Sequence, residues 1–248
     1  MIKGDRLSDF IIGFGLLIFA VIIIIFLAYV LIRNRPQNRI WIVDFNGKIY
    51  KCADMVEKAL KNESPYTGKW VTSVMIVDME YFPTIDDPAI ISLAKSLNDM
   101  MAGWTDLDKA NFILRFVQQG TEYVLDKDRF KQWDPAGYSE RWVFPVDTLK
   151  DRCGDCEDTS FLCAGLMHLC GLDTVTISLP GHIAVGVHLE GVELGGMKYE
   201  KDGKIYYHAE TIENHAIGEF TMDLGTPDFM AYPTVPDDSF RDRIRPKG

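Results

Sequence analysis

From Phe10 to Ile32 the chain runs for 23 residues without a charge, and only Gly13, Gly15 and Tyr29 break its apolar character. At about 1.5 Å per residue a helix of that length reaches roughly 34 Å, enough for a hydrocarbon core of about 30 Å. The run Val21 to Ile25 suits a strand by propensity, but length selects a helix. A cleaved leader has a shorter apolar core, and here Ile32 is followed by Arg33-Asn34-Arg35-Pro36 instead of small residues. The expectation is a single membrane-spanning helix. Lys3, Arg6 and the α-amino group precede it, and Arg33, Arg35 and Arg39 follow it. The counts balance, so the positive-inside rule assigns no side to the rest of the chain.

Beyond this anchor and linker, residues 1–39, the composition is that of a folded protein: 47% hydrophobic and 12% aromatic overall. The net charge of −10 divides into +3 on residues 1–39 and −13 on the remainder. An acidic body lacks the concentrated Lys and Arg that phosphate binding needs, so no nucleic-acid partner is expected. Five cysteines cannot all pair within one chain, which argues against a disulfide scaffold.

Residues 40–82 read as a strand-rich extension, with a hairpin around Asn46-Gly47, a short helix over Asp54 to Lys61 and extended chain over Trp70 to Phe82. A helix begins at Asp87-Pro88 with Ile90, Leu93, Ala94, Leu97 and Met101 on one face. The next begins at Thr105, with Asp108 three residues on, and stops at Gly120. Asp126 to Tyr138 is charged and turn-rich and reads as a surface loop. A third helix starts at Asp155 or Cys156 and ends at Gly171. Extended segments follow, with a turn at Asp202-Gly203. Helices first and an antiparallel meander afterwards indicate α+β. Residues 221–248 read as a loosely structured tail.

The chemistry concentrates in Cys153-Gly154-Asp155-Cys156-Glu157-Asp158, just ahead of a helical stripe. Cys156 falls in the first turn, where unpaired N–H groups and the positive dipole end favour a thiolate and can hold an oxyanion. Its thiol is therefore expected to titrate below the ordinary value. A thiolate nucleophile needs a base. His182 opens a strand on which His182, Ala184, Gly186 and His188 share one face, with Ile183, Val185, Val187 and Leu189 on the other. The small Ala184 and Gly186 leave room for a helix end or a substrate. Tyr206, His208 and Glu210 share a face farther on, so Glu210 can orient the imidazole. Asp155 as N-cap, Asp158 at the positive helix end and His208 beside Glu210 are the expected supporting residues. Cys163 and Cys170 read as core.

The stretch from about Pro83 to Gly218 resembles the transglutaminase-like cysteine protease superfamily. The residues that carry the resemblance are Phe144-Pro145-Val146-Asp147-Thr148-Leu149, Gly154-Asp155-Cys156-Glu157-Asp158, Gly181-His182 and Tyr206-Tyr207-His208-Ala209-Glu210-Thr211. The resemblance implies a papain-like catalytic domain over 83–220, with helices packed on an antiparallel sheet and a triad of Cys156, His182 and Glu210. Two departures stand out: Glu210 replaces a more usual Asp, and Glu157 replaces the Trp that follows the nucleophile in animal transglutaminases. The second argues against cross-linking in their style. The expected function is a membrane-anchored, thiol-dependent acyl transferase or hydrolase acting on peptide or side-chain amides of a peptide or protein substrate through a thioester. No metal or organic cofactor is required. The rivals are a Cys153/Cys156 thiol–disulfide redox motif, in which Cys153 attacks, a zinc site that lacks a second C-x-x-C pair, and a non-catalytic binding domain.

Overall fold

The computed structural model describes residues 41–71, 76–132 and 140–246. The chain divides into two units, Met1–Arg39 and Ile40–Gly248. The first unit, and with it the membrane-span expectation, lies outside the described residues; no helix among those described is long and apolar enough to cross a membrane. The second unit is α+β, with helices packed on an antiparallel sheet.

The first elements are strands β1 (Ile42–Phe45) and β2 (Lys48–Lys51), helix α1 (Ala53–Ala59) and strand β3 (Lys69–Val71). Asn46 and Gly47 both take positive φ, as the tight turn of the β1–β2 hairpin demands. Helices α2 (Pro88–Met100) and α3 (Asp106–Gly120) start on side-chain caps: Asp87 accepts from the N–H groups of Ala89 and Ile90, and Thr105 accepts from that of Asp108. Short pieces follow: β4 (Glu122–Tyr123), α4 (Asp126–Arg129), β5 (Trp142–Val143), α5 (Pro145–Asp151) and β6 (Cys153–Gly154).

Helix α6 (Cys156–Leu169) is the centre of the second unit. Every residue from Glu157 to Met167 is buried, because α2, α3 and α5 pack around it while β7 (Asp173–Leu179) and β8 (His182–His188) cover another side. A helix enclosed on all sides needs small residues where backbones approach. A Cβ on Gly165 would stand 2.5 Å from the Pro83 carbonyl oxygen. The main sheet is completed by β9 (Lys198–Lys201), β10 (Lys204–Ala209) and β11 (Phe229–Ala231), in the order β11-β7-β8-β10-β9. Ile183, Val185, Val187, Tyr207 and Ala209 join the core with α6, and Val175, Ile177, Ala184 and Tyr206 form a second cluster.

Several sequence expectations need correction. Only Lys69–Val71 of the Trp70–Phe82 region is described as strand, and Ile76–Tyr81 is a 3-10 helix. Its three-residue period places Met79 and Phe82 together in the core. The surface loop expected from Asp126 contains helix α4, and Asp126 and Phe130 are buried. Ala184 and Gly186 leave no room for a helix end: a Cβ on Gly186 would meet Val175, Ile177 and Tyr206. The tail is not loose. Strand β11 pairs with β7, and β12 (Arg245–Pro246) pairs with β3. Between them α7 (Asp238–Arg241) carries Phe240, fully buried against Tyr81, Phe82 and Phe144. The Pro and Asp residues that mask this segment in the sequence cap and separate its elements.

A buried Phe240 makes the tail part of the core. Phe240→Ala should therefore destabilise the protein by about 3–5 kcal/mol, read as a lowered urea midpoint. A loose tail would leave the midpoint within experimental error.

Candidate active site

Strands β8 and β10 run together from Val187↔Tyr207 to Val185↔Ala209 and then part. The first turn of α6 is bonded to the chain on both sides of that opening. Ser160 Oγ donates to the Ile183 carbonyl at 3.0 Å. Thr211 Oγ1 lies 2.9 Å from Thr159 Oγ1 and 3.3 Å from Ser160 Oγ. This hydroxyl triangle ties the helix that carries Cys156 to the strand of His182 and to the chain just past Glu210.

His182 Nε2 lies 3.0 Å from Glu210 Oε2. That contact occupies one ring nitrogen and leaves Nδ1 for proton exchange with a neighbour. The same carboxylate oxygen meets His208 Nε2 at 3.2 Å, and Oε1 accepts the Ile212 N–H at 3.1 Å. Burial alone would raise the Glu210 carboxyl, but the hydrogen bonds from His182 and His208 overcome it and hold the group well below the usual range. His208 is fully buried, stacked on Phe220, with Nδ1 3.2 Å from the Tyr199 hydroxyl. Gln118 on α3 fixes the chain beyond: its Nε2 donates to the carbonyls of Glu210, Glu213 and His215.

Cys156 is the first residue of α6 and is partly buried. Its thiol donates to Glu157 Oε2 at 3.2 Å, and the Ile183 N–H is directed at the sulfur. Among the described residues no hydrogen bond joins Cys156 to His182; the link passes through Ile183, the next residue on β8. The expected low thiol pKa is not what this surrounding produces. Burial and then the Glu157 carboxylate push the Cys156 thiol well above the ordinary value, against the Ile183 N–H. The positive helix end is outweighed by burial, reinforced by the acidic side chain one residue away. Cys153, on β6, is also raised by burial, although Arg129 opposes the shift. Cys163 and Cys170 are buried as expected.

The acidic flanks have distinct roles. Asp158 is a pin: it is fully buried, bonded by Arg129 Nη1 at 2.6 Å and by the Val143 N–H at 3.0 Å. Gly154 follows from it, since a Cβ there would stand 2.5 Å from Asp158 Cβ. Asp155 occupies the N-cap position but makes no side-chain cap. It belongs instead to a cluster that the sequence did not reveal: Asp126, Glu140, Asp155 and Glu157 each bring a carboxylate oxygen within 4.8 Å of the others. Asp126, Asp155 and Glu157 are buried, and Asp126 Oδ1, Asp155 Oδ1 and Glu157 Oε1 have no hydrogen-bond partner. Burial and then Asp155 raise Asp126 to about 7. Burial, Asp155 and Asp158 raise Glu157 to about 10. A hard divalent cation is the species such an all-oxygen set could hold. Asp126 and Glu140 lie in a charged, aromatic stretch with no periodicity, so only the fold brings them to Cys156.

Two outcomes follow from these charges. Glu157 keeps its own proton up to about pH 10, so Glu157→Gln should leave iodoacetamide alkylation of Cys156 near the wild-type rate at neutral pH and accelerate it in more alkaline solution, where the carboxylate opposes the thiolate; an unchanged alkaline profile would remove Glu157 as the cause. Asp126 is raised in the fold, so the folded state holds its proton where the unfolded chain has lost it. Its contribution is intact below the ordinary carboxylate value of 3.8 and fades as pH rises toward about 7. The melting temperature should therefore fall between about pH 4 and 7, fall less in Asp126→Asn, and recover in the wild type with millimolar Ca²⁺. No protein-family model matches the chain and no curated protein matches it, so the reading of this site stands on the residues themselves.

Proposed function

We propose that this protein is a thiol-dependent acyl-transfer enzyme of the transglutaminase-like, papain-like kind, acting on peptide or side-chain amides. The observation that carries the reading is the 3.0 Å contact of His182 with Glu210, with Ile183, the residue next to His182, acting on the Cys156 sulfur at the helix start. In this mechanism His182 Nδ1 takes the thiol proton while Glu210 holds Nε2–H, and Cys156 Sγ attacks the amide carbonyl. The oxyanion rests on N–H groups of the first turn of α6. His182 returns the proton to the leaving amine, and water or a second amine resolves the thioester. Residues 10–32 anchor the enzyme in a membrane, with a peptide or protein as substrate.

The resting thiol is neutral in this scheme, hydrogen-bonded to Glu157. Attack needs positive charge near the acidic flank, supplied by a cation or by the substrate, to free the thiolate. That requirement sets this reading apart from an enzyme with a permanent thiolate–imidazolium pair.

The test is labelling by a thiol-reactive peptide probe, followed by mapping of the labelled residue and assay of amide turnover. Cys156→Ala should abolish turnover, and His182→Ala should lower it by about 10²–10⁴-fold. Glu210→Gln should cost less, because the ring remains and loses only its orientation. Cys153→Ser should retain most activity. Disulfide reductase activity that disappears with Cys153→Ser would overturn the reading in favour of redox chemistry.

A further inference from the structure

Glu210 is held by two histidines at one oxygen, although a triad needs only one. His182 Nε2 stands 3.0 Å from Oε2 and His208 Nε2 stands 3.2 Å from it. The three donor atoms lie within 4.8 Å of one another. A tetrahedral zinc ion with nitrogen and oxygen ligands at about 2.0–2.1 Å needs those ligands about 3.3 Å apart. Both nitrogen-to-oxygen spacings are close to that without rearrangement of the fold.

We propose that His182, His208 and Glu210 form a zinc site, with its open coordination position on the side of His182. The donor set is chemically suited: two imidazoles and one carboxylate favour a borderline transition metal over Ca²⁺ or Mg²⁺. Its outer partners are in place as well. When Nε2 of His208 binds metal, Nδ1 carries the ring proton and donates it to the Tyr199 oxygen, 3.2 Å away. Phe220 stacks on the His208 ring at 4.7 Å between centroids and fixes its plane. The Ile212 N–H anchors Glu210 Oε1, leaving Oε2 for the metal. Side-chain exposure is 13% at His182, 3% at Glu210 and 0% at His208, so the ion enters past His182. The acidic cluster beside Cys156 is a separate, all-oxygen set suited to a harder ion.

The site has a regulatory consequence that rests on the acyl-transfer reading. Binding moves the His182 ring proton from Nε2 to Nδ1, the nitrogen that would otherwise take the thiol proton. Zinc therefore switches off the base without touching the nucleophile. No bond to sulfur is made, so the inhibition reverses when a chelator removes the ion.

The experiment uses the full chain in detergent, with Co²⁺ as the spectroscopic probe and excess Ca²⁺ present to fill the acidic cluster. One equivalent of Co²⁺ should give visible ligand-field bands of a four- or five-coordinate ion. Zn²⁺ should displace them, and Cys156→Ala should leave them unchanged. His208→Gln should abolish them. Tyr199→Phe keeps all three ligands and should weaken Zn²⁺ binding by about 10–100-fold; it decides the matter if His208→Gln does not fold. The site is overturned if no stoichiometric binding occurs, if the spectrum shows thiolate charge transfer that Cys156→Ala removes, or if folded His208→Gln or Tyr199→Phe binds as tightly as the wild type. Binding is read without turnover, so it stands or falls independently of the acyl-transfer reading. Zn²⁺ inhibition of wild-type turnover, relieved by chelator, tests the link between the two.

Discussion

The opening between β8 and β10, with the start of α6 bonded across it, is the constraint on which the rest depends. Ser160 accounts for one side of the opening and Thr211 for the other. These hydroxyls lie in a buried region where an unpaired polar group would be costly, so each contact both stabilises and fixes position. The burial of α6 from Glu157 to Met167 adds stiffness. The start of α6 is thereby held to Ile183 and Thr211, the neighbours in sequence of His182 and Glu210, although separate stretches of sequence supply them. Gln118 reaches the same region from α3 and holds three carbonyls of the segment that begins with Glu210.

Much of this was legible in sequence because it is encoded locally. The caps at Asp87 and Thr105, the turns at Asn46-Gly47 and Asp202-Gly203 and the helix start at Cys156 each follow from a few adjacent residues. The contact of His182 with Glu210 was legible through strand alternation. What escaped was set by distance. Asp126 and Glu140 reach Cys156 only after α4 and β5 fold around Arg129, Arg141 and Asp158. Phe240 reads as one aromatic in a polar tail until Tyr81, Phe82 and Phe144 close around it. The thiol departs from its sequence expectation for a related reason. The dipole of a helix start can be read from sequence, whereas the depth at which Glu157 is buried beside the sulfur cannot.

Charge is segregated across the site. On the α6 side, Asp155, Glu157 and Asp126 are buried with unpaired oxygens, and each is raised above its ordinary range. On the sheet side, Glu210 is lowered, because three donors meet its two oxygens. Donors alone do not decide the direction: Asp158 faces Arg129 and the Val143 N–H and is still raised by complete burial and by Asp155, whereas Glu210 faces two histidines. Asp158 shares the α6 side but has Arg129, which makes it a structural pin. The unpaired set is the part of the site whose charge is not balanced from within.

Cys156 sits between these two regimes, and in the proposed acyl-transfer reading that position determines what activates it. Its hydrogen bond runs to Glu157, on the negative side, while the group suited to take its proton is His182, on the sheet side. As long as the carboxyl side is uncompensated, protons are favoured both on its buried carboxyls and on sulfur, because ionising any one of them places a charge in a poorly solvated, acidic surrounding. Compensating that side weakens the hold of Glu157 on the thiol and lets the Ile183 N–H and the helix start favour the thiolate. In the proposed acyl-transfer reading, a metal on the His182–Glu210–His208 side acts the other way, by blocking the acceptor. On that reading one sulfur is governed from two directions, by hard positive charge at the carboxylates and by the protonation of an imidazole across the opening.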